Sequence, residues 1–377
     1  MVSVLEAYRG GASLFPSLPS AQSALIDNIR ATANERFTKE KEAIDSKAET
    51  RTQAIDAEDD RYIMVKAQIN NAKIAVDSAR ESIASIRNML LELRTTVALA
   101  GETGEDSEFR AGEFDAKVAA INGEADTGGR AFNLVGYIDR TDFSPNTVEY
   151  RKSLGSASTE LLGTYIGHDW RVRANDGTVW VPDLGADSLT QYSELQGVVQ
   201  KTTLSDGTET DKTVSTRNGL ELISYNPSTG AITFEVTIDP SNPPETVTGT
   251  LEQEGIGLFG SWFYGKLDTA AGRDAAFKAI EKAEIELTSR ETAIEKAAAQ
   301  VSTDMRKVDE ELSRLSQDKV ATLTQQIEET EKLQITTAQQ IQAMEINLDN
   351  LSEQQRTYLN AFAGYVRSPF LRISLTA

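Results

Sequence analysis

Carboxylates are the only chemically active side chains this sequence carries in quantity: 58 Asp and Glu face 38 Lys and Arg, with one histidine and no cysteine. A pair of carboxylates can divide acid and base duties across a scissile bond, and a tight group of them can hold a hard cation. The densest group is Asp56, Glu58, Asp59 and Asp60. On a helix these side chains spread round more than one face, so the plain reading is a solvated acidic surface. His168, the single histidine, supports neither a Ser-His-Asp relay nor a histidine metal cluster, and is expected in a loop or a sheet. Without cysteine there are no disulfides, thiolate sites or cysteine nucleophiles. Trp170, Trp180, Phe234 and Trp262 could stack on a sugar, but at strand spacing they read first as core. No pair is singled out by position, so no enzyme, cofactor or metal is predicted.

The formal charge of −20 repels nucleic acid and anionic membrane surfaces, so neither is expected as a partner. No apolar run is long enough to span a bilayer, and no membrane insertion is expected. The opening MVSVLEAYRGGASLFPSLPS lacks a basic n-region and a continuous apolar core. If the protein leaves the cell, it is expected to do so without a cleaved signal peptide.

Proline placement divides the chain. After Pro16 and Pro19 none occurs until Pro145, and after Pro244 none until Pro369. Long helices are possible only in the two proline-free spans. In the first, Ile55, Tyr62, Ile69, Val76, Ile83, Leu90 and Val97 recur every seven residues. Val65, Ala72, Ala79, Ile86, Leu93 and Ala100 form a companion series. This 3-4 repeat makes one apolar stripe on a helix roughly 70 Å long, which must pack on another helix. Upstream, Ser20 is the expected N-cap of a helix bearing Leu25, Ile29, Phe37 and Ile44, with a kink or loop expected over Thr50–Asp60. Past the break GETGEDSE, Asp106 or Ser107 should cap a shorter helix with Phe109, Phe114, Val118 and Ile121 on one face, closed by Gly123.

The middle reads as β. Strand-like alternation flanks Asp176-Gly177, Asp206-Gly207 and the Asn226–Gly230 turn, predicting three hairpins in a small antiparallel sandwich or barrel. From Asp268 a second heptad series begins: Ile280, Leu287, Ile294, Val301, Val308 and Leu315. Leu323 falls eight beyond Leu315, which reads as a stutter, and Ile327, Ile341, Leu348 and Phe362 resume the phase. Thr330, Thr337, Met344, Leu351, Tyr358 and Tyr365 accompany them.

The run IASIRNMLLELRTTVALAGETGEDSEFRAGEFDAKVAAINGEADTGGRAFNLVG resembles the N-terminal core of bacterial flagellins and their hook-associated relatives. In that family a long helix, a polar break, a second helix with Glu-Phe-Asp and a Phe-Asn turn follow in order. Glu113-Phe114-Asp115 and Phe132-Asn133-Leu134 stand in the matching places, and the likeness covers about residues 65–136. It implies a homopolymer, a helical filament on the bacterial cell surface, with an export chaperone and capping or hook-junction proteins as partners.

The expected fold is α+β: long antiparallel α-helical coiled-coil arms from both termini with an inserted antiparallel β domain. The expected divisions are 1–136, an N-terminal arm with a short helix and turn; 137–265, the β domain; and 266–377, the C-terminal arm. The expected function is that of an extracellular structural subunit that self-assembles. The alternative is a coiled-coil stalk bearing a β receptor-binding head, as in an adhesin or phage-tail-like spike. Self-association is assigned to the apolar ends and stripes: Val4, Leu5, Tyr8, Ile69, Val76, Ile83, Leu90, Val97, Ile341, Leu348, Leu351, Phe362, Phe370, Leu371 and Ile373.

Overall fold

The computed structural model describes residues 17–102, 106–125, 133–139, 141–183 and 188–366. Two long helices lie at either end of the sequence: α1 (Ser17–Leu99) and α3 (Ala270–Val366). Between them come α2 (Ser107–Ala125) and a series of strands. The chain divides into two compact units, one of Arg61–Glu311 and one of Met1–Asp60 with Leu312–Ala377.

In the Arg61–Glu311 unit, α1 and α3 bury their heptad stripes against each other. Ile69, Ile83, Leu90 and Leu93 on α1, and Ile280, Leu287, Ile294 and Val301 on α3, are all at most 2% exposed. The direction of pairing is written in the ion pairs: Arg94–Glu284 (3.1 Å), Arg87–Glu291 (2.6 Å), Arg80–Glu295 (2.5 Å) and Lys66–Asp309 (2.7 Å). As one number falls the other rises, so the helices run antiparallel within one chain. These bridges are partly exposed and individually weak; their role is to fix register, while the apolar seam supplies the energy.

The β domain in this unit has thirteen strands among the described residues. β1 (Tyr137–Asp139) pairs with β2 (Ser144–Pro145), β3 (Thr147–Arg151) with β4 (Ser158–Leu162), and β8 (Lys201–Thr203) with β9 (Glu209–Asp211). The remaining strands are β5 (His168–Ala174), β6 (Val179–Pro182), β7 (Ser188–Tyr192), β10 (Thr213–Ser215), β11 (Leu220–Tyr225), β12 (Ala231–Val236) and β13 (Glu245–Gly255). They form one antiparallel sheet in the order β10-β7-β6-β5-β13-β12-β11. All three expected hairpins are present, with Gly177, Gly207 and Gly230 in the left-handed region their turns require. The sheet is open, however, and is not half of a sandwich. Its aromatic core, Trp170, Phe234, Phe259 and Trp262 in ring contact, is covered by a 3-10 segment (Ser261–Leu267) on which α2 packs. A helical layer does the covering that a second sheet would otherwise do. Trp170, Trp180, Phe234 and Trp262 are buried, as core residues should be.

Several local expectations are corrected. α1 starts at Ser17, so Ser20 lies inside it, and the helix continues through Thr50–Asp60 without interruption. That stretch has no Gly or Pro, and its acidic side chains find partners on α3: Asp56 with Lys319 (2.6 Å) and Glu58 with Arg314 (3.9 Å). Asp106 does cap α2, accepting from the backbone N–H of Glu108 (3.0 Å) and Phe109 (3.3 Å). The helix then continues past Gly123 to Ala125. Phe109 is exposed while Phe114, Val118 and Ile121 are buried. Five residues turn a helix by roughly 140° from face to face, so Phe109 and Phe114 cannot share one.

In the other unit, α1 and α3 again run antiparallel, joined by Arg30–Glu345 (2.7 Å) and by Gln326 Nε2 donating to Asp45 Oδ1 (2.8 Å). Here the expected stutter does not fall at Leu323. The residue seven beyond Leu315 is Thr322, only 5% exposed, whereas Leu323 is 42% exposed. The stripe then runs through half-buried Gln326, Thr330, Leu333, Thr337 and Ile341, so Thr330 lies eight beyond Thr322 and the register shifts there instead. Ile327 and Phe362, expected in the stripe, face outward instead. The seam also changes its chemistry, as polar residues join the aliphatic ones.

Candidate functional site

The fifteen residues assigned to self-association fall into three groups. Ile69, Val76, Ile83, Leu90 and Val97 are at most 1% exposed, committed to the seam with α3 of the same chain. Ile341 and Leu348 are half-buried, and Leu351 and Phe362 are exposed, at 54% and 71%. Val4, Leu5, Tyr8, Phe370, Leu371 and Ile373 lie outside the described residues. Leu351 and Phe362 have exposed company: Met344 and Tyr358 stand at seven- and four-residue spacing from them, on one strip of α3. The register accounts for the exposure of Phe362. Residue numbers in the Arg30–Glu345 and Asp56–Lys319 pairs sum to 375, which sets Tyr358 opposite Ser17, the first residue of α1. Beyond it the strip faces no described part of α1.

The Glu113-Phe114-Asp115 motif joins α2 to the entrance of α3. Asp115 accepts from Ser261, through Oδ1 from the backbone N–H (2.6 Å) and through Oδ2 from the hydroxyl (2.7 Å). Phe114 meets the Tyr264 ring edge-on at 5.8 Å, and Glu113 pairs with Arg110 at 2.7 Å. Burial pushes the Tyr264 phenol pKa up, which keeps it protonated beside the Phe259 N–H. Asn133 makes the turn expected of it: Nδ2 donates to Ala125 O (3.0 Å) and Oδ1 accepts from Val135 N (2.8 Å). Phe132 lies outside the described residues. His168 opens β5, its Nε2 3.1 Å from Val118 O and its backbone N donating to buried Asn122 (2.6 Å). Among the described residues, no group of three or more His, Asp or Glu is placed to hold a metal ion. No described helix is long and apolar enough to cross a membrane.

Two fastenings between sheet and helices escaped sequence reading. Arg290 of α3 donates to Thr164 Oγ1 (2.9 Å), Glu254 Oε1 (3.2 Å) and Gly255 O (3.2 Å), tying β13 to the helix. The buried Tyr150 of β3 donates to Asp304 Oδ2 (2.9 Å) and accepts from Gln300 Nε2 (3.2 Å). Asp304 is itself only 4% exposed. Neither signal is visible in one dimension, because each pairs residues far apart in sequence.

Burial, and then the Asp304 carboxylate, push the Tyr150 pKa up to about 12. A phenol raised in the folded state stabilises fully below its unfolded value, near 10, and loses that contribution as pH rises through the folded one. Stability should therefore fall between about pH 10 and about pH 12. Tyr150→Phe should flatten this fall. At neutral pH it should cost roughly 1–3 kcal/mol, since Asp304 stays buried without its donor. Urea unfolding of both proteins across that pH range reads both effects.

The class defined by these observations is α+β: two long helices paired antiparallel within one chain, with an antiparallel β domain inserted between them. Crystal structures similar to it include two of FlgL. One is FlgL of Xanthomonas campestris, at 12% identity and TM-score 0.32, covering 72% of this chain and 97% of that one. The other is the flagellar junction protein FlgL of Legionella pneumophila, at 14% identity and TM-score 0.30, covering 73% and 99%. No protein-family model and no curated protein matches the sequence.

Proposed function

We propose that this chain is a flagellin-like structural subunit that assembles, through its helical arms, into an extracellular filament. The observation that carries this reading is the exposed strip Met344, Leu351, Tyr358 and Phe362 on a helix whose own partner is already antiparallel. A parallel trimeric stalk needs arms of different chains to pair along their stripes; here those stripes are filled from within one chain. The strip is left for neighbouring copies, and the apolar residues Val4, Leu5, Tyr8, Phe370, Leu371 and Ile373 extend the same chemistry. Each large side chain fully covered contributes about 1.5–3 kcal/mol. The net charge of −20 opposes indiscriminate clustering. Capping or hook-junction proteins and an export chaperone would be the further partners.

The full chain should form an open helical polymer, seen by sedimentation and electron microscopy. The double variant Leu351→Glu with Phe362→Glu should remain monomeric with unchanged helical circular dichroism, because both positions already face solvent. Polymer formation by the double variant at the parent's concentration would overturn the reading. So would discrete parallel trimers with free β tips, which are the signature of a stalk.

A further inference from the structure

A cleft of about 260 Å³ opens on the β domain, away from every surface invoked above. Its walls come from four separate stretches: Phe143 in the β1–β2 turn, Asp169 and Arg171 on β5, Val181 on β6, and Tyr192, Leu195 and Gln196 at and after the end of β7. Two of these, Phe143 (φ 58°) and Gln196 (φ 65°), are non-glycine residues in the left-handed region. Such conformations cost about 1–3 kcal/mol each and persist only where the surroundings impose them. Both are held in place: Phe143 lies 4.3 Å from the Arg171 guanidinium, ring to cation, and the Gln196 amide donates to Thr141 Oγ1.

Arg171 is only 7% exposed. Its Nε donates to Glu252 and its Nη1 to Thr141 O (2.7 Å), which leaves Nη2 without an acceptor among the described residues. Glu252 answers both Arg171 and Arg173, and Asp169, which accepts from the backbone N–H of Trp170 (2.8 Å), sets a carboxylate in the same wall as the Arg171 guanidinium. An anionic ligand would meet Asp169 and a cationic one Arg171. The remaining walls, Tyr192 and Leu195 beside Phe143, are apolar. The volume lies below the roughly 300–1,000 Å³ of pockets for drug-sized ligands, so one ring fills it.

We propose that this cleft binds a single neutral hexopyranose ring. Tyr192 and Leu195 take its C–H face, while Arg171 Nη2 and the Gln196 amide meet its hydroxyl groups. Asp169, a carboxylate able to accept several hydrogen bonds, accepts one from a ring hydroxyl.

The test uses the full chain and saturation-transfer NMR with methyl α-D-glucopyranoside, methyl α-D-galactopyranoside and methyl α-D-mannopyranoside, with glucuronate as the anionic comparator. Saturable transfer is expected for at least one neutral glycoside at dissociation constants on the order of millimolar, with glucuronate weaker. Gln196→Gly keeps the left-handed backbone and removes the amide, so it should fold and bind roughly tenfold more weakly. Arg171→Lys should do the same, checked by near-ultraviolet circular dichroism for an intact aromatic core. No saturable transfer from any of the three glycosides up to about 50 mM would overturn the proposal. So would undiminished binding by Gln196→Gly, or tighter binding of glucuronate than of every neutral glycoside.

Discussion

Leu90→Ala is expected to destabilise the Arg61–Glu311 unit by about 2–5 kcal/mol. Leu90 is fully buried in the α1–α3 seam, whose α3 side carries Leu287 and Ile294. Truncation removes its transfer energy and leaves a cavity, and two rigid helices pinned by ion pairs on their flanks cannot readily close it. The contrast is Leu323→Ala, where the side chain is 42% exposed and the expected loss is under about 1 kcal/mol. Urea midpoints for the two variants measure the difference. Equal losses would mean that the seam is not the main support of its unit.

Gly255→Ala is expected to cost about 2–4 kcal/mol, by a different route. Gly255 ends β13 at φ 83°, and an added Cβ would sit 1.9 Å from Gly167 O. The carbonyl cannot retreat easily, since it accepts from Ile256 N at 2.8 Å. Gly255 O also accepts from Arg290, so a shift there loosens the tie between β13 and α3. Gly207 is the control: its φ is 84°, but a Cβ there would meet nothing within 4 Å. Gly207→Ala should therefore cost only about 1 kcal/mol, the backbone strain alone. Thermal melts followed by tryptophan circular dichroism separate the two outcomes. A Gly255→Ala melt as mild as that of Gly207→Ala would show that the corner yields.

What could be read in the sequence was what repeats. The aliphatic heptads of 62–97 and 280–315 announced two packed helices, and the Asp-Gly turns announced hairpins, because both signals are local and periodic. β13, the strand that joins the two halves of the sheet, was not legible. Its buried side runs Val247, Gly249, Leu251, and the glycine that breaks the pattern is there because a Cβ would lie 2.2 Å from Arg173 O. The seam beyond Leu315 misled for the opposite reason. A reader of apolar period chooses Leu323, while the helix phase chooses Thr322. The cleft left no trace at all, since Phe143 and Gln196 carry no sequence mark of a left-handed backbone and meet only after folding.

The antiparallel pairing of α1 with α3 has a consequence in time. Arg30 binds Glu345, 315 positions later, while Arg94 binds Glu284. A ribosome makes α1 well before its partner, so the stripe of Ile69, Ile83 and Leu90 must wait, unpaired and adhesive, until α3 has been made. The β domain, whose strand neighbours are mostly close in sequence, can form during that interval and bring the two helix roots together at Leu99 and Ala270. Closure then proceeds outward from those roots, with Arg94–Glu284 made early and Arg30–Glu345 among the last. A nascent chain halted before α3 is synthesised should be a strong client for any factor that shields apolar helices, and a completed one a poor client.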